Sequence, residues 1–169
     1  MILGFSEGFH DAGMAIVDER GNIIHASHSE RSSGEKHDKR ISDWQKEYVK
    51  EFDITKIAFY EKPLWKKTRQ LYAGQYKTVL SRRELSFQPT HYYNHHLSHA
   101  AAAFQTSPYY ESSCVVVDSI GEWDTISVWY AYYDNDMRAR YEKKHSISYP
   151  RSIGLWYSAL TKYVELKPL

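Results

Sequence analysis

HHLSHAAAAF, residues 95–104, is the stretch that most constrains the fold of this sequence. Alanine is the best helix former, so four alanines in a row predict that the chain is helical by Ala100. Residues four apart share a helix face, which places the rings of His95 and His99 side by side. Two imidazoles presented in this way suit a zinc or ferrous ion. Such a site needs a third ligand from elsewhere; otherwise the histidines cap the helix, pack in the core or face solvent.

Composition indicates a folded domain that is not built to bind a highly charged partner. The 169 residues suffice for one ordinary domain with a hydrophobic core, and 22 basic residues nearly balance 21 acidic ones. A nucleic-acid partner is therefore not expected. The single cysteine, Cys114, excludes an intrachain disulfide, and its apolar neighbours predict a buried, unreactive thiol. No signal peptide is recognisable and no apolar run approaches the ~18 residues of a membrane span, so we expect a cytoplasmic protein.

A three-stranded antiparallel meander is predicted at the start of the chain, from apolar runs at residues 2–5, 14–17 and 23–29. The first hairpin loop, residues 6–13, is rich in glycine and small or polar side chains. It forms either a plain tight turn or a ligand-binding loop, because it carries a histidine and an aspartate suited to proton transfer or to holding an anion or metal.

The next segment, residues 30–40, has no apolar side chain. It is either a solvated loop or a loop whose arginine and lysine side chains close over a phosphate or carbamoyl oxygen. Beyond it, the spacing of apolar residues predicts a helix from Ile41, a strand over 54–60 that Pro63 terminates, and a fifth strand over 88–94. Between the last two strands, residues 64–85 predict a helix that Gly74 interrupts, with a solvated basic face of Lys66, Lys67, Arg69, Arg82 and Arg83.

A second meander follows the histidines. Strands are predicted over 113–118, 125–133 and 139–145, and an amphipathic helix from Arg151. Because this order repeats the beginning of the chain, we predict an α/β protein with two lobes of the ribonuclease-H-like kind facing each other across a nucleotide-binding cleft. Residues 1–108 form a complete first lobe and residues 109–169 the beginning of a second, incomplete one. Periodicity alone leaves other α/β and α+β folds open.

Five blocks of the sequence, in one order, resemble the O-carbamoyltransferases of the nodulation-protein and antibiotic-tailoring type. They are GFHDAG (8–13), SER…KHD (29–38), HHLSHAAAAF (95–104), VVDSIGEW (116–123) and SIGLWYSA (152–159). The amino-terminal domain of those enzymes is similar to the tRNA threonylcarbamoyl-transfer protein and has the actin/sugar-kinase fold. The resemblance implies transfer of a carbamoyl group from carbamoyl phosphate, activated with ATP as carbamoyl-adenylate, to a hydroxyl of a small-molecule acceptor.

The resemblance also implies roles for individual residues. His95 and His99 would be ligands of a divalent iron or zinc ion that holds nucleotide phosphates. His10, beside Asp11, would be the general base near the acceptor hydroxyl. Arg31 and Lys36 would contact the carbamoyl or phosphate group. Asp118, Gly121 and Glu122 would form the hairpin of the second lobe that faces the ligand.

Two departures from the family pattern bear on activity. Ser119 stands where the family usually has glycine, in a loop where backbone clearance matters. The third metal ligand of the family, an aspartate, and most of the adenosine pocket come from a later part of the second lobe, so the chain alone is expected to be inactive unless a second chain supplies that part. Two alternatives remain: a non-catalytic remnant that binds a nucleotide or a partner protein, and an unrelated metal-assisted hydrolase built on His95, His99 and His10.

Overall fold

The computed structural model of this chain describes residues 1–8, 11–77 and 84–166. By contacts between residues, the chain divides into two compact units. The first unit comprises Met1–Tyr60 and Tyr76–Tyr93, and the second comprises Glu61–Gln75 and Asn94–Leu169. The histidine-rich helix thus belongs to the second unit, whereas the predicted lobe boundary lies after residue 108. The division into two lobes stays a prediction.

The first unit contains a five-stranded mixed sheet. Its strands are β1 (Ile2–Ser6), β2 (Gly13–Val17), β3 (Ile23–His28), β4 (Lys56–Phe59) and β5 (His91–Tyr92), in the order β3-β2-β1-β4-β5. The β1–β2 and β2–β3 pairs are antiparallel, while β4 runs parallel to β1 and β5 parallel to β4. Alternate residues of β1 and β2 are buried, as the two-residue period of a strand requires.

Two short helices, α1 (Ser29–Ser33) and α2 (Asp43–Val49), belong to the first unit. Helix α2 is capped by Ser42, whose side chain forms a capping box with Gln45. The core combines residues of strands, of α2 and of the connecting loops: Leu3, Phe5, Ala12, Met14, Ile16, Ile41, Val49 and Phe59.

The second unit contains a three-stranded antiparallel sheet of β6 (Glu111–Val117), β7 (Asp124–Tyr133) and β8 (Ala139–Ser148), in the order β6-β7-β8. Its helices are α3 (Pro63–Tyr72), α4 (His95–Gln105) and α5 (Ile153–Tyr163). Ala100 and Phe104 of α4 pack against Cys114, Val116 and Trp129 of the sheet. None of the helices in the described ranges is long and apolar enough to cross a membrane.

The predicted α/β class is confirmed, and Cys114 is buried as expected. The strands and helices follow the predicted order except for α1, a short helix over Ser29–Ser33 where a loop was predicted. The ribonuclease-H-like assignment stays a prediction. The predicted interruption at Gly74 is confirmed: helix α3 ends at Tyr72, and Gly74 has a φ of 73°. Part of the predicted helix, residues 78–83 with Arg82 and Arg83, lies outside the described residues.

The predicted solvated basic face of α3 is wrong at Arg69 and Lys66. Arg69 is only 7% exposed. Lys66 Nζ lies 2.8 Å from Oε1 of Glu61, and both side chains are largely buried. The sequence alone does not reveal this because the pairing and burial depend on what the helix packs against.

Candidate metal centre

The start of α4 positions the histidine pair. The side-chain oxygen of Asn94 accepts a hydrogen bond from the backbone N–H of Leu97 at 3.1 Å and so caps the helix. His95 is the first residue of α4 and His99 lies one turn later, as the four-residue spacing predicts. Their Nε2 atoms are 3.0 Å apart. Each imidazole therefore directs its Nε2 atom toward the same point.

Asp118 supplies a carboxylate at the same place. It directly follows β6, and its Oδ2 lies 2.9 Å from Nε2 of His95. One ligand atom from each of His95, His99 and Asp118 falls within 4.8 Å of the other two. The family resemblance implies that Asp118 lies in a ligand-facing hairpin and that the third metal ligand comes from a later part of the second lobe, and both stay predictions. The fold brings a two-histidine, one-carboxylate set together within the second unit.

The protonation states of Asp118 and His99 suit ligation. Burial raises the pKa of Asp118, but the hydrogen bond and charge of His95, with further contributions from Ser119 and His99, lower it to a net value of about 2. Burial, and then the neighbouring His95, lower the pKa of His99. At neutral pH the carboxylate is therefore ionised and the imidazole of His99 is neutral, the forms in which both residues bind metals.

The spacing of the donor atoms fits one transition-metal ion. Two ligand atoms at bond lengths of about 2.1 Å and at angles of 90–110° lie about 3.0–3.4 Å apart. The Nε2–Nε2 distance is 3.0 Å and the Nε2–Oδ2 distance 2.9 Å. A groove of about 480 Å³ between α4 and β6 is lined by His99 and Asp118, so that the donor set borders an open space.

Glu122 is a buried residue whose carboxylate accepts hydrogen bonds from the starts of two helices. Its carboxylate, 4% exposed, accepts hydrogen bonds from the backbone N–H of Lys62 at 2.7 Å and of His95 at 3.0 and 3.1 Å. The Nδ2 of Asn94 donates a further bond at 2.8 Å. Burial raises the pKa of Glu122. These contacts make Glu122 a positioning residue for His95; its predicted contact with a substrate stays a prediction.

His96 is a residue of this region that the sequence interpretation did not single out. It is completely buried, and its Nδ1 lies 2.7 Å from the hydroxyl oxygen of Ser127. A Cβ added at Gly121 would lie 2.8 Å from Cδ2 of His96, so Gly121 leaves room for the imidazole. Its spacing of four residues from Ala100 and eight from Phe104, which are both buried, is the signal that could have predicted an inward orientation.

The predicted site residues at the amino-terminal end lie in the first unit. Asp11 is paired with His37, whose Nδ1 is 3.1 Å from Oδ1 of Asp11. The carboxylate of Glu30 joins them and accepts a hydrogen bond from the backbone N–H of His37 at 3.1 Å. Neither Glu30 nor His37 was singled out from the sequence, because both lie in a polar loop without a periodic pattern.

Arg31 and Lys36 are exposed, Arg31 on α1 and Lys36 in the turn that follows it. Their predicted contacts with a carbamoyl or phosphate group stay predictions. His10, the predicted general base, lies outside the described residues.

Comparison with known proteins gives matches that cover most of the chain. Residues 45–168 match the family described as carbamoyltransferase N-terminus. An uncharacterized protein of Synechocystis sp. is 31% identical over 205 aligned positions, which include 98% of this chain and 32% of the relative. The chain thus spans about a third of the length of this curated relative.

Proposed function

The chain belongs to the carbamoyltransferase family, whose amino-terminal region it matches, and we propose that it is the amino-terminal part of an enzyme that carbamoylates a hydroxyl of a small-molecule acceptor. The proposed donor is carbamoyl phosphate, activated with ATP as carbamoyl-adenylate. Family membership and the convergence of His95, His99 and Asp118 support this proposal.

The proposed fold is of the ribonuclease-H-like, actin/sugar-kinase type. The order β3-β2-β1-β4-β5, with an antiparallel meander followed by parallel strands, supports it. A second antiparallel meander, β6-β7-β8, supports the duplication that this type of fold contains.

The proposed metal ligands are His95, His99 and Asp118. A divalent iron or zinc ion bound there would supply positive charge that binds nucleotide phosphates. The protein's own contribution is orientation: Glu122 accepts a hydrogen bond from the backbone N–H of His95 and so holds the first residue of α4 in place. Fixing the backbone at this point limits the rearrangement that ligation requires.

The proposed reaction joins the acceptor hydroxyl oxygen to the carbamoyl carbon. The bond from that carbon to the phosphate oxygen breaks, and its electron pair leaves with the phosphate group. His10, which precedes Asp11 in the sequence, would take the proton of the hydroxyl. Arg31 and Lys36 would neutralise charge on the carbamoyl or phosphate oxygens. These roles, and the assignment of Asp11 to the catalytic residues, rest on the family resemblance.

A second candidate function is binding of a nucleotide or a partner protein without chemistry. Carbamoylation of an acceptor by the purified chain, given carbamoyl phosphate and ATP, would exclude this candidate.

The first test of the proposal is metal content. We expect the purified chain, with and without ATP, to retain about one equivalent of iron or zinc by elemental analysis, because the three donor atoms are already together. The double variant His95→Ala/His99→Ala should retain none. His145→Ala, which removes an exposed histidine of β8, is the matched control and should behave as the wild type. Equal metal retention in the double variant, or none in the wild type after loading with either ion, would contradict the proposed site.

A further inference from the structure

The carboxylate of the candidate metal centre is oriented by the residue that follows it. The backbone N–H of Ser119 donates a hydrogen bond to Oδ1 of Asp118 at 2.6 Å, while Oδ2 lies 2.9 Å from Nε2 of His95. One oxygen is thus held by the turn after β6, and the other faces the histidine pair. Because a hydrogen bond weakens steeply as its geometry departs from the optimum, the carboxylate follows the backbone of Ser119.

Helix α5 is attached to Ser119 by its capping residue, Ser152. The hydroxyl of Ser152 accepts a hydrogen bond from the backbone N–H of Leu155 at 3.0 Å, which caps the helix. The same hydroxyl donates to the carbonyl oxygen of Ser119 at 2.6 Å. Since a hydroxyl can donate one hydrogen bond while it accepts another, this side chain both begins the helix and ties it to the turn that orients Asp118.

Gly154, in the first turn of α5, lies directly against Ser119. A Cβ added at Gly154 would lie 2.6 Å from the Cα of Ser119, 2.7 Å from its backbone nitrogen and 2.9 Å from its Oγ. The two nearest atoms belong to the backbone, so a side chain at this position would displace either the turn or the helix. Glycine is a poor helix former, and the close approach of Ser119 gives a physical reason for it here.

A second set of contacts holds the same turn two residues later, at Gly121. The backbone N–H of Gly121 donates to the carbonyl oxygen of Asp124 at 2.8 Å, and its Cα faces the buried imidazole of His96 closely enough that a Cβ would lie 2.8 Å from Cδ2. With Gly121 fixed in this way, a displacement of Ser119 by α5 cannot be absorbed by moving the whole turn. It would therefore change the direction of the Asp118 carboxylate.

We propose that the first turn of α5 positions the metal ligand Asp118, with Ser152 and Gly154 as positioning residues that act through the backbone of Ser119. The inference rests on the proposed metal centre and extends it to a helix that supplies no ligand. Partners that orient a ligand in this way commonly govern metal affinity almost as strongly as the ligands do. Because coupling between two places in a protein is reciprocal, a bound metal ion also stabilises the start of α5.

The test measures the Kd of the full chain for zinc, by competition with a chelating dye, in variants that alter α5 and leave all three ligands in place. Gly154→Ala should bind zinc at least about tenfold more weakly than the wild type. The substitution favours helix formation, so the loss would not come from a weakened helix. Gly4→Ala in β1, where an added Cβ meets no atom within 4 Å, is the matched control and should bind as the wild type does.

Ser152→Asp is the second variant and replaces Gly154→Ala if that protein does not fold, as judged by thermal unfolding without metal. An aspartate still caps the helix but has no proton to donate to the carbonyl of Ser119. Ser152→Thr keeps both functions of the hydroxyl and is the conservative comparison. We expect Ser152→Asp to bind zinc at least about tenfold more weakly than Ser152→Thr, although its added negative charge by itself attracts the ion.

Amide hydrogen exchange measures the coupling in the opposite direction. Zinc should slow exchange at Leu155 and Trp156, in the first turn of α5, more than at Lys162 and Tyr163 in its last turn. Equal zinc affinity of the wild type and a folded Gly154→Ala or Ser152→Asp variant, or equal slowing at both ends of the helix, would overturn this inference and leave the metal centre in place. Failure of the wild type to bind zinc or iron would overturn both.

Discussion

Glu122 illustrates how a single buried side chain determines where the candidate ligands lie. Its two oxygens accept hydrogen bonds from the backbone of Lys62 and His95 and from the side chain of Asn94. A buried carboxylate is costly unless donors surround it, and here donors come from the starts of two helices. The position of His95 is therefore tied to a residue 27 positions later in the sequence.

We expect Glu122→Gln to destabilise the protein by about 1–3 kcal/mol, because the amide directs an N–H group toward other donors and leaves one of them unpaired. Denaturant unfolding measures this change, and metal content should fall in the same variant. Glu142→Gln alters an exposed glutamate of β8 that pairs with Lys144 and is the matched control. Its effect should stay within about 0.5 kcal/mol. Equal unfolding curves for the two variants would contradict the positioning role.

The four-residue spacing of His95 and His99 predicts that they share a helix face, because one helical turn fixes it. This spacing does not predict which other residue either histidine contacts. Asp118 reaches His95 only because β6 ends beside the start of α4. A separation of 19 residues between His99 and Asp118 does not predict that the two side chains lie close together.

Helix α4 is the element that carries the candidate site, and its capping explains why it starts where it does. Asn94 accepts a hydrogen bond from Leu97 and donates one to Glu122, so one side chain both caps the helix and ties it to the turn before β7. The alanine run then brings Ala100 and Phe104 into contact with the sheet. Helix α4 is thereby held by hydrogen bonds at its first turn and by packing of its later residues on the sheet.

We expect Asn94→Ala to cost about 1 kcal/mol of stability from the lost cap, and more if Glu122 is left short of a donor. Chemical denaturation gives the size of the effect, and circular dichroism reports the helix content. Asn135→Ala, in the exposed turn between β7 and β8, is the matched control. A loss no larger than that of the control would show that Asn94 does not determine the start of α4.

Helix α5 shows the limit of periodicity at the scale of an element. The spacing of its apolar residues predicted an amphipathic helix, and Ile153–Tyr163 is helical. None of its residues is buried, however, and Trp156 and Tyr157 are 64% and 67% exposed. Periodicity identifies an apolar face, but burial requires a neighbouring element to cover it.

At the scale of the whole molecule, a metal ion bound at the candidate centre is expected to raise the free energy of unfolding. A ligand that binds only the folded protein raises the free energy of unfolding by RT ln(1 + [L]/Kd). Since the three donors come from α4 and from the end of β6, they are together only when the second unit is folded.

We expect zinc or ferrous iron at about 100 times its Kd to raise the free energy of unfolding of the chelator-stripped protein by about 2.7 kcal/mol. Thermal unfolding at several metal concentrations measures this gain, and adding chelator should reverse it. The double variant His95→Ala/His99→Ala is the control and should show no gain. The same stabilisation in the control would mean that the ion binds elsewhere.

Most of the order of strands and helices, the burial of Cys114 and the common face of His95 and His99 could be predicted from the amino-acid sequence. These features depend on residues a few positions apart, and local periodicity and helix propensity govern them. The fold was needed to show that Asp118 contacts His95, that Glu122 holds two helix starts and that Arg69 is buried. Each of these depends on which elements lie side by side in the fold, since contacts between distant residues arise from packing and strand pairing and leave no regular spacing in the sequence.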